Sequence, residues 1–83
     1  MYRLSLSDTA AKALDPLPKN YQRLVWDRIG ALSENPRPHG CKKLKRQGAY
    51  RVRQGPYRII YEIDDPTLLV IVSNIKPRRE AYR

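Results

Sequence analysis

The sequence has 83 residues, enough for one domain, and 17 lysines and arginines against eight aspartates and glutamates give it a net charge of +9. Its single cysteine, Cys41, excludes an internal disulfide and fits a reducing cytosol, and together with the one histidine, His39, it leaves no usual set of metal ligands. The excess of positive charge indicates a polyanionic partner: a nucleic acid, the ribosome, an acidic protein or, as the weaker option, an anionic membrane.

The sequence contains no signal for export or for membrane insertion. Residues 1–15 lack the continuous apolar segment of a signal peptide. The longest apolar run, Leu68 to Val72, is far too short to cross a bilayer. We therefore expect a soluble, cytoplasmic protein.

The first half of the chain predicts one strand and two helices. Residues 2–6 alternate apolar and polar, as in a short strand, and Ser7 is a candidate N-cap for a helix that ends near Leu14. A longer helix is expected to begin near Pro18 and to end before Pro36, because proline cannot continue a helix. Its apolar stripe consists of Tyr21, Leu24, Val25, Ile29 and Leu32.

Two residues of the longer helix need a separate explanation. Gly30 weakens the helix by about 1 kcal/mol relative to alanine, so we expect a close helix–helix or helix–sheet contact there. Trp26 lies off the apolar stripe, and we expect it at the edge of the core rather than stacked on a ligand.

The second half of the chain predicts a basic loop followed by three strands. Residues 37–48 form the loop, with a short extended piece around Leu44. Strands at residues 49–54 and 57–63 flank the turn Gly55-Pro56, and the nearly continuous apolar run at residues 67–73 is typical of a strand covered on both faces. The order β-α-α-β-β-β predicts one α+β domain over residues 1–83, with the helical hairpin on one face of a small, mainly antiparallel sheet that the first strand joins.

The hairpin sequence A-Y-R-V-R-Q-G-P-Y-R-I-I-Y-E-I, residues 49–63, separates apolar from basic side chains. A two-residue turn at Gly55-Pro56 pairs Arg53 with Arg58 and Arg51 with Ile60. In this register one face carries Tyr50, Val52, Ile59 and Tyr61, and the other carries Arg51, Arg53 and Arg58.

Two interpretations of the arginine face follow from the residues alone. It is either a solvated basic face, with the arginine stems lying over apolar neighbours, or a site where an anion offsets the repulsion between like charges. Guanidinium groups bind phosphate bidentately and stay charged at any working pH. In the second case the four basic loop residues Lys42, Lys43, Lys45 and Arg46 would follow the neighbouring backbone of a nucleic acid.

The C-terminal sequence P-R-R-E-A-Y-R adds Arg78, Arg79 and Tyr82. A tyrosine beside arginines can stack on a base, or lose its proton more easily because nearby cations favour the phenolate. Alternatively, Tyr82 is a tail residue packed on the edge of the sheet.

The ordered combination of these segments resembles the RelE family of bacterial toxins, part of the RelE/ParE superfamily of toxin–antitoxin systems. The resemblance covers essentially the whole chain. It rests on the element order, on L-K-x-x-x-A-Y-R-V-R at residues 44–53, on G-P-Y-R-I-I-Y-E-I at residues 55–63 and on R-R-E-A-Y at residues 78–82.

The resemblance implies a toxin that enters the ribosomal A site and cleaves the mRNA there. By position, the catalytic set is Arg51, Arg53, Arg58, Arg78 and Tyr82. The set that binds RNA or the ribosome is Lys42, Lys43, Lys45, Arg46 and Arg79. No cofactor and no metal are implied. The implied partners are a cognate antitoxin with an acidic or amphipathic segment, mRNA and the 70S ribosome, and no membrane.

The implied reaction is attack of the RNA 2′-OH on the adjacent phosphate. The family often has lysine where Arg51 and Arg53 stand, and arginine is a much poorer proton carrier, so these two residues are expected to stabilise charge. Tyr82 is then the candidate general base, and Arg78 would neutralise the leaving 5′-oxygen. Pro77, directly before Arg78, departs from the family pattern.

Two other functions remain open at this stage. One is a toxin of the ParE type, which has the same fold and poisons DNA gyrase without cleaving RNA. The other is a basic module that binds RNA or the ribosome and has no catalytic activity. The arginine and tyrosine set favours the RelE type over ParE, and an assay for cleavage separates an enzyme from a binding module.

Overall fold

The computed structural model describes residues 1–77, which form two helices and five strands. In chain order the elements are β1 (Arg3–Leu6), α1 (Asp8–Leu14), α2 (Lys19–Ala31), β2 (Lys42–Lys43), β3 (Ala49–Gln54), β4 (Tyr57–Asp64) and β5 (Leu69–Pro77). The strands lie side by side in the order β1-β5-β4-β3-β2, with β1 parallel to β5 and the other pairs antiparallel. The expected α+β fold is confirmed. The short extended piece expected around Leu44 is the two-residue strand β2, which adds a fifth strand at the edge of the sheet.

The helices begin where the sequence predicts, for identifiable local reasons. Ser7 caps α1, because its Oγ accepts a hydrogen bond from the N–H of Ala10 at 3.1 Å. The same hydroxyl donates to the carbonyl of Ser73 at 2.9 Å, which attaches the start of α1 to β5. Pro18 precedes α2 at its N-cap, where a missing N–H costs no helical hydrogen bond.

The hydrophobic core lies between the two helices and one face of the sheet. Tyr61, on β4, is fully buried, and its hydroxyl donates to the carbonyl of Pro36 at 2.7 Å, which fixes the loop after α2. Burial also raises the pKa of the Tyr61 hydroxyl well above its ordinary value. The buried cluster comprises Ala10, Leu14, Val25, Ile29, Leu32, Val52, Ile59, Tyr61, Val70, Val72 and Ile75.

Three expectations for α2 are wrong. Leu24 is 40% exposed and Trp26 is 49% exposed, so the buried stripe is narrower than predicted and Trp26 lies outside the core. Gly30 makes no close contact, since a Cβ placed there would meet no atom within 4 Å. Gly30 and Trp26 instead border a shallow apolar groove with Leu4 and Leu6 of β1.

The last strand, β5, is longer than predicted and contains a bulge. It continues to Pro77, and its register with β4 shifts so that Ser73 is an extra residue between Val72 and Asn74. The bulge changes which side chains face the core: Val72 faces it before the bulge, and Ile75 faces it afterwards.

The expectation that this strand is covered on both faces is also wrong. Val70, Val72 and Ile75 are buried, but the side chains between them are partly exposed. The helices cover one face of the sheet, so the opposite face of β5 stays open to solvent. We call the sheet surface opposite the helices the open face.

A polar cluster fastens the loop after α2 to the turn between β4 and β5. Arg37 contacts both carboxylate oxygens of Asp65, at 3.3 and 2.8 Å, and the hydroxyl of Tyr2 donates to Asp65 at 2.6 Å. The guanidinium of Arg37 also lies over the ring of Tyr50, 5.3 Å from its centroid. The Arg37 contact, followed by the Tyr2 hydrogen bond, lowers the pKa of Asp65.

Candidate functional site

The β3–β4 hairpin forms in the register that the sequence predicts. Arg53 pairs with Arg58 and Arg51 pairs with Ile60. Gly55 has a φ of 59°, the positive value that the first central position of a type II′ turn requires. The apolar face of the hairpin lies against the helices, and the three arginines belong to the open face.

Three basic residues stand directly opposite one another across β3, β4 and β5. They are Arg53, Arg58 and Lys76, and we call them the cation row. Neighbouring strands are about 4.8 Å apart, so the row concentrates three positive charges across two strand spacings. Like charges directly opposite each other destabilise a sheet, and an anion bound at the row would offset their repulsion.

The sequence reasoning missed Lys76. The predicted strand ended at residue 73, so nothing placed Lys76 beside Arg58. The signal was the spacing of Val70, Val72 and Ile75, which fits a single apolar face only if one residue between them forms a bulge.

The three hairpin arginines differ in burial. Arg53 is exposed and Arg58 is partly buried, whereas Arg51 is only 8% exposed and is the one buried charged residue in the part of the chain described. Arg51 lies between Lys42 and Ile60, two pairing positions further along the strands than the cation row. A guanidinium stays charged when buried, and its field is stronger where water is excluded. The interpretation as a solvated basic face therefore does not hold for Arg51, because this side chain is buried.

An open cleft of about 270 Å³ adjoins the cation row. Its lining residues are Arg46, Ile60, Glu62, Ser73, Asn74 and Lys76, and we call it the Glu62 cleft. Nη2 of Arg46 contacts Oε2 of Glu62 at 2.9 Å, and both side chains are substantially exposed. The hydroxyl of Ser73 donates to the carbonyl of Ile60 at 3.1 Å, and Oδ1 of Asn74 accepts from the N–H of Ile75 at 2.8 Å.

The basic loop residues are only partly brought together. Lys42 pairs with Arg51 and so belongs to the open face, whereas Lys43 pairs with Tyr50 and belongs to the helix side of the sheet. Lys45 is exposed in the turn that follows β2. Arg46 lies beside β4, where Glu62 partly neutralises its charge.

The remaining predicted site residues, Arg78, Arg79 and Tyr82, lie outside the described residues. Within residues 1–77, no three His, Cys, Asp or Glu side chains are grouped as metal ligands would be. No helix in the same range is long and apolar enough to span a membrane.

Comparisons with known proteins agree over nearly the whole chain. A family model described as the ParE toxin of the type II toxin–antitoxin system parDE matches residues 4–82. Toxin RelG and toxin RelE of Mycobacterium tuberculosis are each 33% identical over 85 residues; each alignment covers 99% of this chain, and they cover 97% and 87% of the two toxins. The crystal structure of the archaeal RelE–RelB complex of Pyrococcus horikoshii contains a chain with a TM-score of 0.84 and 31% identity, covering 93% of this chain and 94% of that one.

The fold and these matches define the class: a toxin of a type II toxin–antitoxin system. Within this class the chain belongs to the RelE family, as its curated relatives and the superimposed structure do. The resemblance found in the sequence is thereby confirmed.

Proposed function

We propose that this toxin is a ribosome-dependent endoribonuclease that cleaves mRNA in the A site and so inhibits translation. The cation row, with the buried Arg51 beside it, is the observation that carries the proposal. A sheet that holds Arg53, Arg58 and Lys76 side by side concentrates positive charge at paired positions, and such an arrangement is suited to a phosphodiester.

In the proposed reaction the substrate supplies its own nucleophile. The 2′-oxygen of one ribose attacks the adjacent phosphorus, the bond from phosphorus to the 5′-oxygen breaks, and the products carry a 2′,3′-cyclic phosphate and a 5′-hydroxyl. Negative charge accumulates on the non-bridging oxygens as phosphorus becomes five-coordinate. Arg53 and Arg58 would contact these oxygens, and the buried Arg51 would act through its field from its neighbouring position on the same face. Fixed cations at the point of developing charge are usually the largest catalytic contribution.

Proton transfer is assigned to the C-terminal residues that follow β5. Tyr82, as the phenolate, would accept the proton of the 2′-OH. Arg78 would neutralise the leaving 5′-oxygen, which takes a proton from water to become the 5′-hydroxyl. Arginine is a poor proton carrier at working pH, so the hairpin arginines are not given this role. A tyrosine is a weak base near neutrality, and the ribosome would compensate by holding the mRNA in line for attack.

The remaining basic residues would bind RNA outside the scissile phosphate. Lys42 extends the open face beyond Arg51, and Lys45 lies in the next turn. Lys43, Arg46 and Arg79 complete the predicted set that contacts RNA or the ribosome. Contacts of this kind position a nucleic acid without reading its sequence.

The proposed partner that controls the toxin is a cognate antitoxin. The similar toxin of P. horikoshii was solved as a complex of RelE with RelB. A segment that silences this chain has to offset the positive open face, so we expect it to carry acidic residues. The exposed apolar groove beside Trp26 would require an amphipathic segment as well.

A second candidate function is a gyrase poison of the ParE type. The specific observation in its favour is the family model that matches residues 4–82, which is described by the ParE name. Such a toxin would inhibit DNA supercoiling and leave mRNA intact.

Primer extension on a defined mRNA, with and without programmed ribosomes, tests the proposal. Cleavage is expected only with ribosomes and only in the A-site codon, and Arg53→Ala and Arg58→Ala should abolish or strongly reduce it. Arg23→Ala, which removes the same charge from the exposed surface of α2, is the matched control and should cleave normally. Intact mRNA in every reaction, with folded wild-type protein, would reject the proposal, and a supercoiling assay would then test the ParE alternative.

A further inference from the structure

The Glu62 cleft and the cation row are parts of one surface. Lys76 belongs to both, and Ile60, in the cleft, is two residues from Arg58 on the same face of β4. Two residues along a strand span about 6.6–6.8 Å. A base attached to a nucleotide whose phosphate lies on the cation row can therefore reach the cleft.

The size and composition of the cleft suit one flat ring system. Its volume of about 270 Å³ is just below the range of roughly 300–1,000 Å³ that holds drug-sized ligands. The side chain of Ile60 offers an apolar surface, and the guanidinium plane of Arg46 can stack on a base.

Glu62 gives the cleft a chemical character that differs from that of the cation row. An ionised carboxylate only accepts hydrogen bonds, and it repels phosphate. In its contact with Arg46, one guanidinium nitrogen meets a single carboxylate oxygen, Oε2. Exposed ion pairs of this kind are weakly held, so the carboxylate can accept hydrogen bonds from a ligand that carries adjacent N–H donors.

Asn74 supplies a donor next to this acceptor. Its Oδ1 is held by the N–H of Ile75, which fixes the orientation of the amide and leaves the NH₂ group as the one presented to a ligand. The bulge at Ser73 places Asn74 opposite Ile60 on the open face. The cleft therefore presents a carboxylate acceptor and an amide donor together.

Guanine has the complementary Watson–Crick edge. Its N1–H and N2–H₂ are adjacent donors for the two oxygens of a carboxylate, and its O6 accepts from an amide. Adenine and cytosine offer one amino donor beside a ring acceptor, and uracil flanks its single N–H with two carbonyls. Proteins read unstacked RNA bases through hydrogen bonds of this kind.

We propose that the Glu62 cleft is a nucleobase subsite that selects guanine in the RNA held by the cation row, with Glu62 and Asn74 as the residues that determine specificity. The role in substrate choice rests on the proposed ribonuclease function. The recognition of guanine itself does not require catalysis.

The first test measures binding without cleavage. The amide signals of the ¹⁵N-labelled toxin are recorded while 5′-GMP, 5′-AMP, 5′-CMP or 5′-UMP is added. GMP is expected to shift the signals of Glu62, Asn74 and their strand neighbours at lower concentration than the other nucleotides. The variant Glu62→Gln should lose this preference, and Glu34→Gln, an exposed carboxylate beyond α2, should retain it. Equal responses to all four nucleotides, or an unchanged preference in Glu62→Gln, would overturn the subsite.

The second test measures the rate of A-site cleavage on codons that differ in one base. A good bidentate base contact gives roughly 5- to 150-fold discrimination, so the guanine-to-adenine rate ratio should fall by that order in Glu62→Gln and stay unchanged in Glu34→Gln. If the wild type cleaves every codon equally, the subsite is wrong and the ribonuclease function stands. If the wild type cleaves nothing but GMP still binds selectively, the ribonuclease function is wrong and the subsite stands.

Discussion

At the scale of single residues, the cation row is expected to lower the stability of the fold while serving the proposed function. Arg53 and Lys76 are exposed and flank Arg58 across the sheet, so each adds repulsion to the folded state. Side chains at directly paired positions contribute about 0.2–1 kcal/mol to a sheet, and like charges contribute unfavourably. Residues retained for an anion should therefore be ones whose removal does not weaken the fold.

We expect Arg53→Ala and Lys76→Ala to maintain or slightly raise the free energy of unfolding, by up to about 1 kcal/mol, while A-site cleavage falls. Urea denaturation and cleavage rates of the same preparations check both halves of the prediction. Lys12→Ala, on the exposed surface of α1, is the control and should change neither quantity. A loss of stability that accounts for the loss of cleavage would show that the two side chains are structural.

Asp65 is the acidic residue of a cluster whose stability should depend on pH. Its pKa in the folded protein is lowered, chiefly by Arg37 and next by Tyr2, so its contribution is complete above the ordinary carboxyl pKa near 3.8. The contribution is lost as the pH falls through the lowered pKa, because the protonated carboxyl no longer attracts Arg37.

We accordingly expect Asp65→Asn to melt at a lower temperature than the wild type at neutral pH, with the difference shrinking as the pH falls below the ordinary carboxyl pKa. Thermal denaturation over a pH series measures this difference in melting temperature. The control is Asp27→Asn, which removes an exposed carboxylate on α2. A difference that grows on acidification would mean that the ion pair is not what Asp65 contributes.

At the scale of secondary-structure elements, the hairpin was predictable and the last strand was not. Gly55-Pro56 leaves few turn types, and a two-residue turn fixes every pair in the hairpin, which is why the register and the arginine face were correct. In the run L-V-I-V-S-N-I-K-P the only local signal for a bulge is the spacing of Val70, Val72 and Ile75. That signal is weak, because either face of a half-apolar strand can be interpreted as the inner one. Both Lys76 and the Glu62 cleft depend on that bulge, so both were missed.

The expectations for Trp26 and Gly30 were wrong for a related reason. Sequence periodicity marks the side of α2 that is apolar, but it does not say how far the sheet extends beneath the helix. β1 is an edge strand and only four residues long. The sheet therefore does not fully cover the surface of α2 that bears Trp26. Burial at the margin of a small core depends on these lengths.

The bulge predicts unequal effects for two isoleucines on β5. Ile75 is 4% exposed and faces the core, whereas Ile71 is partly exposed on the open face. Ile75→Ala should lower the free energy of unfolding by about 2–5 kcal/mol, because a buried isoleucine truncated to alanine leaves a cavity. Ile71→Ala should cost clearly less. Urea denaturation of both variants gives the comparison, and equal losses would place the two side chains on one face, as in a strand without the bulge.

At the scale of the whole molecule, the two faces of the sheet differ in composition. The helix side contains the core, whose buried members come from both helices and from β3, β4 and β5. The open face bears the cation row and the Glu62 cleft, and three of the basic side chains occupy directly paired positions there. In the proposed function, the net charge of +9 would attract RNA from a distance, and the paired arrangement of charges would determine where a phosphate is held.

We propose that this sheet face promotes attack by a ribose 2′-hydroxyl on its own phosphodiester. The test uses ribosomes programmed with two mRNAs that differ at a single sugar in the A-site codon. The nucleotide directly 5′ of the expected break carries ribose in one mRNA and 2′-deoxyribose in the other. We expect cleavage of the ribose mRNA to ends with a 2′,3′-cyclic phosphate and a 5′-hydroxyl, and no cleavage at that bond in the deoxyribose mRNA. Cleavage of both mRNAs at the same bond would contradict it, because the nucleophile would then be a group other than the 2′-hydroxyl.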